Sequence, residues 1–524
     1  MVEQAVRPVV EAIVASAPDG WTHAVLYARA GRGGTSVSGG YTPQMGRWGV
    51  SVPNPYAELM ALAEVLRKRC GWESSSLEIR CRPSGEYRLV AFDTSVTRVT
   101  GLDSGFDVVL DPDCQLPQPG FAQEPGTAAP AGDPEVAVAR FRAYLERRAE
   151  ILGRPEELPP PATAAEIDEA ERRLGRRLPA DLRALYEIAD GSMGDEERYL
   201  FEGNAWLPLD SLRSESDEWE GGQRPWFGWD LEWDAVVFDA APADTVRRCG
   251  AHPGWLNFAT RSDGNYLAID MDPARSGRPG QIIYTGRDYD AGPAYVADSI
   301  TSLLGHYLEL LDQGAYDKDG DYISLREPAG EDGAQQIIGD IPDEVPPTLQ
   351  AIHINDATGP VDLTPLTAAP RLRRLHLNRS TAADLAPVRE LPVEDLRLAL
   401  DSGDLTPLAG HPHLASLDLT TTVPVDIAPL RTVPHLRGLD LSGADVPDPT
   451  VLAQLAELRY LSLTGPQWAA LLDGAAGAPP TLAAARLSGA DVSLDDALAW
   501  AARLGIDTGG ALRMTGTLGS TDVK

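Results

Sequence analysis

The sequence predicts a multidomain chain, two α+β domains followed by an α/β solenoid, and three observations predict it. The pattern LxxLxL recurs seven times between residues 349 and 487. Between residues 135 and 316, helix-start signals are followed by short β-type segments. Two turn-rich stretches interrupt every periodic pattern: QPGFAQEPGTAAPAGDP at 118–134, and the run from Asp317 to Pro347 containing DKDGDY, EPAGEDG and PDEVPP. Such breaks read as linkers. The expected organisation is therefore an α+β domain over 1–117, a linker over 118–134, a second α+β domain over 135–316, a linker over 317–345, the solenoid over 346–490, and a C-terminal cap and tail over 491–524. At 524 residues the chain is too long for one core.

In residues 1–117, Val6, Val9, Val10, Ile13 and Val14 share one helical face. HAVLYARAG and SGGYTP read as strands about the turn Gly31–Gly34. Tyr56–Cys70 reads as a helix with Leu59, Leu62, Ala63 and Leu66 on one side, and LEIRCRPSGEYRLVAFD as a hairpin. The GRGG run lacks the Lys-Ser/Thr ending of a phosphate-binding loop and reads as a turn. This succession, with Trp21, Trp72 and the SGEYR hairpin, resembles YezG-type immunity domains.

In residues 135–316, Thr163-Ala-Ala-Glu166 is a capping box: hydroxyl and carboxylate each satisfy a free amide at a helix start. Ile167, Ala170, Glu171 and Leu174 continue that helix. Pro179 opens a second, LPADLRALYEIADGS, which Gly191 ends. NYLAIDMD and GQIIYTG read as strands. Val296, Ile300, Leu303, Leu304, Tyr307 and Leu311 form one stripe of a last helix. These segments, with WLPL at 206–209 and HPGWLNFATRSDGNYLAIDMDP at 252–273, resemble the SUKH superfamily, which includes a fungal regulator of cell-wall synthesis and many bacterial immunity proteins. The resemblance implies an α+β fold with a protein-binding surface and no catalysis. It implies either neutralisation of a polymorphic toxin, the partner then being a basic toxin domain, or a regulatory scaffold connecting endogenous proteins.

In the last third, the central position of LxxLxL falls at 352, 375, 396, 417, 439, 461 and 485, spacings of 21 to 24 residues. A second motif keeps step: DLTPL at 362, DLAPV at 384, DLTPL at 404, DIAPL at 426 and the degenerate DPTVL at 448. This is the leucine-rich-repeat signature. A single unit cannot cover its own leucines, so neighbours stack into one continuous core. Trp468 and a closing helix with Trp500 are expected to cap the last repeat. The expected solvent-facing concave positions are Arg373, His376, Asp395, Arg397, Ser416, Asp418, Arg437, Asp440, Arg459 and Ser462, a mixture of both signs that suits protein contacts.

Enzymatic readings do poorly. His411-Pro-His413 lacks a third metal ligand nearby. Asp317-Lys-Asp-Gly-Asp321 imitates a calcium loop but has Tyr322 where the loop needs Gly and Pro328 where it needs Glu. No cofactor motif occurs. The segment from Trp206 to Asp239 is a candidate partner-binding loop, because Trp219, Trp226, Trp229 and Trp233 interleave with Asp230, Glu232 and Asp234, and aromatic anchors beside charge typify binding hot spots. A formal net charge of −33 argues against nucleic-acid binding and suits a basic partner. No apolar run is long enough to span a membrane. Four cysteines without a CxxC pair, and an N-terminus carrying Glu3 and Glu11 within its apolar stretch, point to a cytoplasmic protein.

Overall fold

The computed structural model describes residues 2–32, 34–42, 51–93, 99–102, 105–111, 114, 116–192, 199–214, 236–289, 291–320, 322–326, 335–475, 477–489, 492–508 and 510–518. Its first elements are α1 (Val2–Ala15), β1 (His23–Gly31), β2 (Gly34–Thr42), α2 (Tyr56–Cys70), β3 (Ser74–Cys81) and β4 (Glu86–Asp93). The strands form an antiparallel sheet in the order β2-β1-β3-β4. Alternation along β1 serves two cores. Ala24, Leu26 and Ala28 pack with Val6, Val9, Leu59 and Leu62 of the helices. Val25 and Tyr27 face the other way, into the core of the repeats. A hairpin, β5 (Val99–Leu102) and β6 (Gly105–Val109), then leaves this sheet altogether.

The middle of the chain builds α3 (Pro134–Leu152), α4 (Ala164–Leu174), α5 (Ala180–Tyr186), β7 (Tyr199–Phe201), β8 (Asn204–Trp206), β9 (Arg213–Ser214), β10 (Trp255–Thr260), β11 (Asn265–Asp270), β12 (Gln281–Gly286), β13 (Ala294–Ala297), α6 (Ile300–Asp312), β14 (Tyr316–Asp319) and β15 (Tyr322–Leu325). The sheet runs β13-β12-β11-β10-β8-β7, with β9 beside β10. Helices cover one face, burying Phe141, Tyr144, Tyr186, Trp206, Phe258 and Tyr307 together. The capping box expected at Thr163 and Glu166 is present. Helix α3 was not anticipated, although Asp133 caps it, Pro134 opens it and Gly153 ends it.

The other face of this sheet carries Trp255, Ala268 and Ile283, under Val246 and Cys249. The segment expected as a flexible linker at 118–134 is strapped across that region. Arg247 Nη1 donates to the carbonyls of Gly120 (2.9 Å) and Gln123 (2.8 Å), and Gln123 Oε1 accepts from the Arg248 amide (2.7 Å). A Cβ at Gly120 would lie 2.2 Å from Cys249 Sγ, so only glycine lets the strap approach this closely.

The repeats follow as β16 (Gln336–Ile338), β17 (Ala351–Asn355), β18 (Arg374–Ala382), β19 (Asp395–Leu400), β20 (Ser416–Pro424), β21 (Gly438–Asp445), β22 (Tyr460–Thr464), α7 (Gly465–Asp473), β23 (Ala484–Ser488), α8 (Leu494–Arg503) and β24 (Leu512–Thr517). Strands β16 to β23 form one parallel ladder. Ile352, Leu375, Leu396, Leu417, Leu439, Leu461 and Ala485 stand in register along it, and all are buried. The DLxPL segments are short 3-10 turns. In each, the Asp carboxylate accepts the backbone amide two residues on, at 2.7–3.0 Å: Asp362 from Thr364, Asp384 from Ala386, Asp404 from Thr406, Asp426 from Ala428 and Asp448 from Thr450. The proline sits where no amide is required.

Two connections cut across the expected boundaries at 117 and 491. Strand β6 pairs antiparallel with β23, so the hairpin from the N-terminal part ends the ladder, with Val108 opposite Ala485 and Phe106 opposite Leu487. Strand β24 pairs with β4, so the C-terminal segment is the fifth strand of the N-terminal sheet and not a tail. Val25, Tyr27, Val90, Phe92, Phe106 and Val108 share one core with the repeat leucines, Trp468 and Trp500. The reason is the edge problem: the last strand of a stacked ladder exposes unpaired amides and leucines, and the hairpin covers both. The 317–345 linker likewise contains β16, the first strand of the ladder. Residues 118–326 thus sit between the two halves of a single composite body.

Candidate interaction surface

Along each strand of the ladder, the residues between the buried leucines point to the concave side, because side chains alternate. The first such row reads Ala351, Arg374, Asp395, Ser416, Gly438, Tyr460 and Ala484. The second reads His353, His376, Arg397, Asp418, Asp440, Ser462 and Arg486. The expected concave residues His376, Asp395, Arg397, Ser416, Asp418, Asp440 and Ser462 belong to these rows. Arg373, Arg437 and Arg459 do not: they occupy the turn just before each strand, together with Gln350, Glu394, Ala415 and Ala483, where successive backbone amides hydrogen-bond one another.

The expectation that these positions face solvent is corrected. His376, Asp395, Ser416 and Ser462 are buried and the other six are half-buried. Two causes operate. Neighbouring strands pair their own charges: Asp395 Oδ2 lies 3.0 Å from Arg374 Nε and 2.7 Å from His376 Nε2, and Arg397 Nε donates to Asp418 at 2.9 Å. Burial alone would raise the Asp395 pKa, but His376, Arg374 and Arg397 outweigh it and hold the carboxylate below its usual range. The second cause is the middle domain, whose segment after residue 235 lies on the first row. Val236 and Phe238 pack with Ala351, Tyr460, Ala484, Leu116 and Val109. The Arg374 guanidinium stands over the Phe238 ring at 5.3 Å.

An alternating charge clasp surrounds this contact. Arg248 Nη2 donates to both carboxylate oxygens of Glu394, each at 2.8 Å. Arg373 bridges Glu394 and Asp239, at 2.6 Å to each. The Gln350 carboxamide accepts from the Asp239 amide and donates to the Asp239 carbonyl, both at 2.8 Å. Burial pulls the Arg248 pKa down, opposed chiefly by Glu394. Gln350, Arg374 and Tyr460 were not anticipated at this interface. A buried arginine is a poor guess from sequence, since arginines are rarely buried unless paired.

The partner-binding positions expected at Trp219, Trp226, Trp229, Asp230, Glu232, Trp233 and Asp234 lie outside the described residues. Among the described residues no group of three or more His, Cys, Asp or Glu is placed to hold a metal. His411 is a structural crosslink: Nε2 lies 3.2 Å and 3.0 Å from the carbonyls of Val388 and Leu391, and Nδ1 accepts from the Leu414 amide at 3.0 Å. Of the calcium-like run, Asp317 to Asp319 belong to β14, which pairs with β15, and Asp321 lies outside the described residues. No described helix is long and apolar enough to cross a membrane.

Most of the sheet-and-helix unit around β7–β13 falls inside a known family: the model of the SMI1/KNR4 family (SUKH-1) matches residues 161–306, leaving α3 outside. These residues are a SUKH-1 domain. The cell wall biosynthesis/cell cycle regulator smi1 of Schizosaccharomyces pombe is 32% identical over 171 residues, covering 32% of this chain and 34% of the relative. The glucan synthesis regulatory protein of Neurospora crassa is 26% identical over 195 residues, covering 32% and 36%. The cell wall assembly regulator SMI1 of Saccharomyces cerevisiae is 31% identical over 86 residues, covering 16% and 17%. The chain thus spans about a third or less of the length of these relatives. Among solved structures, an internalin (inlF) of Listeria monocytogenes is 25% identical with a TM-score of 0.21, covering 24% of this chain and 39% of that one. The solenoid reading stands on the parallel ladder itself, and the SUKH-1 domain is seated on that ladder's concave side.

Proposed function

We propose that this protein is a non-catalytic regulatory scaffold that acts by binding another protein through its SUKH-1 domain and the solenoid on which that domain sits. One observation carries the reading: the SUKH-1 domain and the repeats are clasped by the buried pair Arg248–Glu394 and the half-buried pair Arg373–Asp239, which joins them at one interface. The charged residues of the site pair with one another, which suits shape and charge recognition of a protein. The relatives of the SUKH-1 domain that carry names are regulators of cell-wall and glucan synthesis, which supports a regulatory role here. The test is affinity capture of the tagged full chain after crosslinking in its own cells. Recovery of one stoichiometric protein partner is expected; repeated recovery of the chain alone would sink the reading.

A second reading, neutralisation of a polymorphic toxin, is favoured by the charge of −33, which complements a basic toxin domain. The YezG-type resemblance of the N-terminal region suits it too. It requires that co-expression of the chain rescue cells producing a toxin encoded beside it, and failure of rescue with every neighbouring gene product leaves the regulatory reading alone.

A further inference from the structure

The segment Val236–Asp239 is held by the solenoid in the way a bound peptide is held. Its backbone is read by a side chain: the Gln350 carboxamide pairs with both the N–H and the C=O of Asp239, as a neighbouring strand would. Its carboxylate is read by Arg373, at 2.6 Å. Its aromatic ring is read by Arg374, which is kept in place by Asp395 at 3.0 Å, and by an apolar patch of Ala351, Tyr460 and Ala484. Backbone, acid and ring each have a dedicated receptor group on the repeats.

Val109 and Leu116 also pack against the segment, and its remaining hydrogen bonds go to the SUKH-1 domain. Phe238 N donates to the Ala291 carbonyl at 2.6 Å, and Arg248 Nε to the Val237 carbonyl at 2.7 Å. The bridge between the two bodies combines this apolar cluster with charged pairs, and inter-domain contacts of such mixed polarity can be rearranged by partners. If the SUKH-1 domain withdrew, Asp239 and Arg248 would leave with it. The face would keep Gln350, Arg373, Arg374 and Glu394, which still holds Arg373 from one side, and would lose the Asp239 carboxylate and the Phe238 ring.

We propose that the concave face is a receptor for an extended protein segment bearing an aromatic residue followed by an acidic one. Phe238–Asp239 fills it as an internal ligand, and a protein partner carrying the same pair competes with it, releasing the SUKH-1 domain from the repeats. This rests on the partner-binding function proposed above and names the surface and the chemistry of the partner.

The probe is a fluorescein-labelled, end-capped peptide AVVFDAA, the chain's own sequence over 235–241, titrated against the full-length protein by anisotropy. The variant Arg248→Glu opposes Glu394 and releases the clasp while leaving Gln350, Arg373 and Arg374 in place. It is expected to bind the peptide at least about tenfold more tightly than the wild type, because the internal competitor is displaced. Adding Arg373→Glu, or replacing the peptide's Phe by Ala or its Asp by Lys, is expected to abolish that gain. Equal binding by wild type and released variant, or binding indifferent to Arg373, overturns the proposal. Should Arg248→Glu fail to fold by circular dichroism, Asp239→Lys in the chain releases the same contact and is read by the same criteria. Because the partner of the proposed function is sought by capture with the unaltered chain, a failed peptide titration leaves that reading standing.

Discussion

Val108, near the start of the chain, stands opposite Ala485, near its end, and continues the column of leucines that runs through every repeat. Phe106 does the same opposite Leu487 and meets Tyr27 edge-on with ring centroids 5.5 Å apart. Removing this ring should therefore cost about 3–5 kcal/mol, the range for deleting a fully buried phenyl group. Because Phe106 belongs to the core of the repeats and touches the N-terminal sheet through Tyr27, Phe106→Ala should lower the stability of both together. Amide hydrogen exchange checks this: protection should fall at Leu461 and Leu463 of β22 as well as at Leu26 of β1. Unchanged protection in the repeats would mean that the hairpin does not cap them.

Glu394 holds two arginines at once, and its side chain is 10% exposed. Glu394→Ala strands the Arg248 charge, which keeps the Val237 carbonyl at 2.7 Å and, as a counter-charge, the more distant Asp239 carboxylate at 3.8 Å. Breaking a buried pair from one side costs about 3–5 kcal/mol, whereas replacing both partners by apolar groups can be close to neutral. The double variant Arg248→Met/Glu394→Leu should thus be more stable than Glu394→Ala. A double-mutant cycle by urea denaturation measures the coupling; additive effects would show that the clasp contributes nothing as a pair.

How much of this was legible follows from where each residue's burial is decided. Leu375 and Leu396 are buried because a repeat of 21–24 residues stacks identical units, so the pattern states both strand and face. The α1, β1, β2, α2, β3, β4 succession was legible for the same local reason. Strand β6 was not: GFDVV is an ordinary short strand, and nothing local says whether it pairs with β4 or with a strand near residue 484. Helix α3 was legible from Asp133-Pro134 and the spacing of Ala137, Phe141, Tyr144 and Arg148, but the Pro- and Gly-rich run just before it masked the start. The concave residues were identified by type, yet their exposure depends on Phe238 and Asp239, which reach them only through tertiary structure.

The repeated aspartates make a separate prediction. Asp404 Oδ1 accepts from Thr406 N at 2.9 Å and Thr406 Oγ1 at 2.7 Å, which lowers its pKa, the hydroxyl contributing most. Asparagine keeps the acceptor and alanine removes it, so Asp404→Ala should lower the melting temperature while Asp404→Asn retains most of it. A lowered folded pKa means stability is present above the ordinary value of 3.8 and lost as the pH falls through the folded one. Equal melting of the two variants would show that the turn does not depend on this bond.

Buried titratable groups place opposite pH dependences in one chain. Burial pushes the Asp270 carboxyl up to about 7 from 3.8, against hydrogen bonds from the Asp272 amide and Gln281. Burial also presses His353 and His252 down to about 4 from 6.5. Between pH 3.8 and about 7 the folded chain holds a proton on Asp270 that the unfolded chain has released, so this group lowers stability as the pH rises. Between pH 6.5 and about 4 the unfolded histidines take protons that the folded ones refuse, so they lower stability as the pH falls. The two effects oppose each other, and Asp270→Asn removes one of them. The variant keeps an oxygen for the Asp272 amide, and Gln281, whose Nε2 also donates to the Thr245 carbonyl and whose Oε1 accepts from the Arg278 amide, gives up only its bond to residue 270. Relative to wild type, it should gain on the order of a few kcal/mol at pH 8 and little at pH 4. Urea midpoints for both proteins at pH 4, 6 and 8 decide the matter: parallel profiles would show that Asp270 is charged in the folded protein throughout.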